Sequence, residues 1–122
     1  MTPSIRTSIA YVAGCLILHK TFSAVHDESL DTVSAMKGSF SNGNIDVNDS
    51  DNGASMIGMS LDSHATFSRL PENISVTLQL SGTDFKGSES SSNRNFNGSV
   101  TGTTVKLYDY DDGKYFYFGL VA

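Results

Sequence analysis

Residues 96–121, FNGSVTGTTVKLYDYDDGKYFYFGLV, decide the fold, because they read as a three-strand meander whose register follows from its turns. Asp112-Gly113 is a hairpin signal: a two-residue type I′ loop needs φ > 0 at both positions, which Asn, Asp and Gly tolerate best. Centring the turn there pairs Tyr110 with Tyr115, Tyr108 with Tyr117, Leu107 with Phe118 and Val105 with Leu120, since strand side chains alternate between faces. Gly102-Thr103 makes a second tight turn that sets Val100 opposite Val105 and Gly98 opposite Leu107. One face of the meander is then apolar, with Phe96 and Val100 joining it. The other carries four tyrosines.

A second meander lies upstream. Asn42-Gly43 is the strongest short hairpin signal in the chain and places Gly38 against Val47 and Phe40 against Ile45. Asp51-Asn52-Gly53 fits a three-residue loop that pairs Val47 with Ile57 and Ile45 with Met59; a two-residue loop puts the apolar sets on opposite faces. The two meanders match at an offset of sixty residues, Gly38-Ser39 falling on Gly98-Ser99 and Asp49, Asp51 and Gly53 on Asp109, Asp111 and Gly113, with one residue inserted in the second turn. This is the pattern of a duplicated unit.

Between the copies, Ile74, Val76, Leu78 and Leu80 alternate with polar residues, as a half-buried strand requires. Gly87 to Asn95 is serine-rich without an apolar side chain and reads as a mobile loop. His26 to Ser34 reads as a linker or one helical turn, with strands beginning at Met36. The fold expected is all-β: an antiparallel β-sandwich or small β-barrel built from two related three-strand meanders, preceded by an N-terminal apolar segment.

That segment divides the chain into residues 1–24 and an all-β domain over 25–122. Arg6, the apolar run Ile9 to Leu18 and the small residues near Ala24 follow the order of a secretory signal peptide, and the run is too short to span a bilayer as a helix. Val12-Ala13-Gly14-Cys15 also fits a lipoprotein cleavage box, and a third reading makes Ile9 to Phe22 a structured, buried segment. The first reading places the protein outside the cell or on its surface.

Composition narrows the function. The 122 residues carry a net charge of −5, which argues against nucleic acid, whose binding needs a basic footprint. The single Cys15 allows no internal disulfide. His19, His26 and His64 are isolated, and no nucleophile elbow or phosphate loop occurs, so the expectation leans away from an enzyme. Tyr108, Tyr110, Tyr115 and Tyr117 are the candidate ligand-binding residues, since tyrosine offers a large contact area at low entropic cost plus a hydroxyl, suiting a carbohydrate or a protein partner. Asp49, Asp51, Asp109 and Asp111 are candidate calcium ligands, though tight turns offer fewer oxygens than calcium takes and turns require Asp anyway. No other cofactor is expected. The runner-up is a structural protein that self-associates by β-augmentation at exposed strand edges, and a small hydrolase or enzyme inhibitor is the third class.

Overall fold

A computed structural model describes residues 1–122. Helix α1 spans Pro3–Leu18, and ten strands follow: β1 Ala24–Asp27, β2 Thr32–Ser39, β3 Asn44–Asp49, β4 Ala54–Leu61, β5 His64–Leu70, β6 Ile74–Ser81, β7 Asp84–Glu89, β8 Arg94–Thr101, β9 Thr104–Asp109 and β10 Lys114–Val121. Each strand pairs antiparallel with its chain neighbours, and β1 closes on β10, so the sheet is a closed up-and-down barrel and not a sandwich. Closure leaves no free strand edge, the feature that self-pairing by β-augmentation needs.

The repeat is finer than a duplicated meander. Asp49, Arg69, Glu89 and Asp109, twenty residues apart, are each the last residue of an odd-numbered strand to pair with the strand that follows, and Asp27 holds the same place at β1. Five hairpins therefore repeat, and the sixty-residue offset is three of them. At one end of the barrel their strands are joined by four-residue loops closed by a left-handed residue: Asp31, Gly53, Asn73, Asn93 and Gly113, with φ between 53° and 69°. At the other end the turns are tight, and Asn42 and Gly43 have the positive φ values of a type I′ turn (55° and 77°).

All five residues that precede the long loops are buried and charged. Four are acids that cap the loop behind them. Asp27 Oδ1 accepts from the Ser29 and Leu30 N–H groups at 3.0 and 3.3 Å; Asp49 accepts from the Asn52 N–H at 3.2 Å; Glu89 accepts from Ser91 and Ser92 N–H at 2.7 and 3.0 Å; Asp109 accepts from the Asp111 N–H at 2.9 Å. Loop amides that would otherwise be unpaired are thereby satisfied. Arg69 instead donates to Ser8 Oγ of the helix at 3.0 Å and pairs with Glu72.

These capped loops correct two registers. Tyr115 lies opposite Tyr108, Phe118 opposite Val105 and Tyr117 opposite Lys106, so the Asp112-Gly113 turn is a four-residue loop beginning at Tyr110. The shift is by two residues, and inward and outward faces are kept. In the first hairpins the pairs are Val47 with Met56 and Asp46 with Ile57. This shift is by one residue and reverses faces: Ala54 and Met56 are buried, whereas Ile57, Met59 and Leu61 are exposed. Gly87 to Asn95 is not a loop but the end of β7, a four-residue loop and the start of β8; His26 to Ser34 likewise belongs to β1, its loop and β2. The expected pairs Gly38–Val47, Val100–Val105 and Gly98–Leu107 are present.

The barrel is filled by α1. Thr2 caps its start, Pro3 takes the first turn, and His19 ends it in the left-handed conformation. Every residue from Ile5 to Cys15 is buried, so the helix has no solvent face. It touches β6 as well as β1, β9 and β10, strands on opposite sides of the barrel, and forms one core with inward residues such as Val47, Phe67, Val76, Phe96 and Phe118. Sixteen residues give a helix of about 24 Å, close to the length of an eight-residue strand. Its polar groups are satisfied internally, except that Arg6 Nε is buried without a hydrogen-bond partner. Thr7 and Ser8 hydroxyls donate to the carbonyls one turn back, and Tyr11 donates to the Phe22 carbonyl at 2.5 Å. Arg6 donates to Asp109 and Asp112 at 3.2 and 2.9 Å, with its guanidinium 3.7 Å from the centre of the Phe116 ring.

Candidate functional site

The outer surface of β5 to β10 is polar because the alternate residues face the core. Register puts six of its side chains in one row, each directly opposite the next: His64 and Gln79, Gln79 and Lys86, Lys86 and Asn97, Asn97 and Tyr108, Tyr108 and Tyr115. With strands about 4.8 Å apart, the row runs about 24 Å around the barrel. A parallel row, Ser81, Asp84, Ser99, Lys106 and Tyr117, lies on its turn side. On its loop side are Thr66, Thr77, Ser88 and Asn95.

Two shallow grooves of about 650 and 590 Å³ follow these rows. They share Gln79, Lys86 and Asn97, so they adjoin at the middle of the central row. The first adds Ser99, Lys106 and Tyr115; the second adds His64, Thr77, Asn95 and Tyr110.

Three of the four expected tyrosines come together here. The Tyr108 ring lies 4.8 Å from those of both Tyr110 and Tyr115, edge-on to each, an arrangement favoured by the ring quadrupoles. Tyr110 accepts a 2.9 Å hydrogen bond from Asn97 Nδ2, and Lys106 Nζ sits 4.3 Å from the centre of the Tyr115 ring. Tyr117 stands in the neighbouring row beside Lys106, exposed and outside the ring cluster. In the central row, Gln79 Nε2 lies 3.2 Å from His64 Nε2. Its groups are hydrogen-bond donors and acceptors set at strand spacing on a closed sheet.

The four expected calcium ligands are placed otherwise. Asp49 and Asp109 are the buried caps of two different loops, with their oxygens engaged by loop N–H groups, Asn52 Nδ2 and Arg6. Asp51 accepts from the Ala35 N–H at 2.7 Å, and Asp111 lies 2.9 Å from the Met1 amine. They form no group of three or more acidic, histidine or cysteine side chains that could hold a metal ion.

A third pocket, of about 820 Å³, opens at the tight-turn end of the barrel beside Cys15, Ile17, His19, Phe40 and Leu80. Burial pushes the Cys15 thiol up to about 11, so it is a neutral packing group there. Burial likewise raises Tyr11, above any physiological pH.

Gln79, Lys86, Asn97 and Lys106 are not among the candidates the sequence offers, and His64 figures there only as an isolated histidine. For the two lysines a signal exists in the twenty-residue spacing: Lys86 and Lys106 stand three residues before Glu89 and Asp109, the caps of consecutive odd strands. No helix is long and apolar enough to cross a membrane. Comparison of the chain with family models, with curated proteins and with solved structures found no match.

Proposed function

We propose that this protein is a non-catalytic binding domain that takes an extended saccharide across the outer face of β5 to β10. The observation that carries the reading is the register row from His64 to Tyr115, whose amide, imidazole, ammonium and phenol groups adjoin two connected grooves. Sugar hydroxyls both donate and accept, and Gln79 and Asn97 can do the same from a rigid strand. The tyrosine cluster supplies apolar ring area beside them.

The helix bears on the setting. Loss of residues 1–24 in a mature chain and a barrel filled by α1 exclude one another, and the fit of α1 to the interior favours retention. The reading is therefore of a full-length domain, with no export step assumed.

Calorimetric titration of the full chain against a set of neutral and acidic oligosaccharides tests the reading. Gln79→Ala, Asn97→Ala and Tyr108→Ala should each weaken binding by about five- to tenfold, the equivalent of about 1–1.4 kcal/mol, with thermal melts showing the variants folded. Binding that is indifferent to all three, or a protein captured through this face in place of any saccharide, overturns it.

A further inference from the structure

We infer that the saccharide taken by this face is acidic, carrying carboxylate or sulfate groups that meet Lys86 and Lys106. The inference rests on the saccharide reading above and adds its chemical class.

The chain as a whole is acidic, yet the grooves are not. Lys86 and Lys106 both line the larger polar groove, Lys86 and His64 line the adjoining one, and the acid among these lining residues is Asp84. Neither lysine takes part in an ion pair, although Asp84 shares the outer face of β7 with Lys86, two residues away. Asp84 lies opposite Ser99, which stands opposite Lys106, so the carboxylate is two strands away from that ammonium. Lys106 is also positioned: its ammonium rests on the Tyr115 ring, which limits the conformations it must give up when it meets an anion. Lys86 is on β7 and Lys106 on β9, two strands across and two residues along, so their backbones are separated by about 12 Å. Two cations on strands at that separation, with Asn97 and Ser99 of β8 between them, match a chain whose anionic groups recur along its length better than a compact single anion.

The test is calorimetric titration of the full-length protein with an oligogalacturonate and with the same oligosaccharide after reduction of its carboxylates to alcohols. Wild type should bind the acidic form about tenfold more tightly or better. Raising sodium chloride from about 50 to about 500 mM should reduce that preference, because exposed charges are screened over a shorter distance. In the double variant Lys86→Gln, Lys106→Gln the ratio should fall to about one, a thermal melt confirming that the barrel is intact. Equal affinity of wild type for the two forms overturns the inference and leaves the saccharide reading standing. Poly-glutamate binding as tightly as oligogalacturonate shows that the face reads charge alone and overturns it too. If neither oligosaccharide binds, both the inference and the reading beneath it fall.

Discussion

A Cβ built on Gly58 would lie 2.0 Å from the Thr66 carbonyl oxygen, and one on Gly98 would lie 2.1 Å from the Lys106 carbonyl oxygen and 2.5 Å from Phe85 Cζ. Both positions face a partner strand so closely that the sheet can bend there only because no side chain exists, and phenylalanines opposite (Phe67 and Phe85) cover the gap. Gly58→Ala and Gly98→Ala should therefore each cost at least about 3 kcal/mol in denaturant titrations, or prevent folding. Gly113 differs: its Cβ would meet nothing, but its φ is 69°. Gly113→Ala should cost about 1–2 kcal/mol, and a loss equal to that of Gly58→Ala would contradict this division. Glu89 gives a pH-dependent counterpart. Burial opposes its charge, but hydrogen bonds from Ser91 and Ser92 outweigh burial and hold its carboxyl below the usual range. Its stabilising contribution is therefore present above the pKa of the unfolded chain and is lost as pH falls through the lower folded value. Glu89→Gln should lower stability at neutral pH and flatten the decline of stability on acidification; an unchanged acid profile would show that the cap carries no charge-dependent stability.

Elements were legible in the sequence where the backbone itself specified the turn. Asn42, Gly43 and Gly102 carry the positive φ their turns require, and the pairs around them follow directly. The long loops were not legible, because their length is decided by a buried acid reaching across to loop amides, a contact between side chain and backbone that turn propensity does not describe. At Asp49 a loop one residue shorter than the real one puts Ile57 and Met59 on the buried side, where the structure has them exposed. At Asp109 a two-residue turn in place of the four-residue loop keeps the tyrosines on the outer face but gives them the wrong cross-strand partners. Helix α1 was harder still. A helix buried on every side has no amphipathic period, and the same apolar run reads as an export signal. Its packing makes a specific demand: a Cβ on Gly14 would lie 2.6 Å from Leu120 Cδ1 and 3.2 Å from Val105 Cγ2. Gly14→Val should lower the melting temperature and loosen the helix in the barrel, and a variant as stable as wild type would place the helix elsewhere.

At the scale of the molecule, ten strands enclose more space than their own inward side chains fill, and α1 occupies the remainder. The regular hairpin unit does the rest: buried caps close one end, tight turns the other, and the alternating outward residues make the rows proposed to bind. Helix and barrel share one core, so they should unfold in a single transition. Cys15 reports on this directly, since it is the sole thiol and is buried on the helix. The measurement is the intact mass of the protein from its native source after exposure to a maleimide, first in native buffer and then in denaturant. A full-length chain that stays unlabelled until it unfolds is the result this account predicts. A native chain that labels at once, or one whose mass lacks the first two dozen or so residues, would contradict the filled barrel.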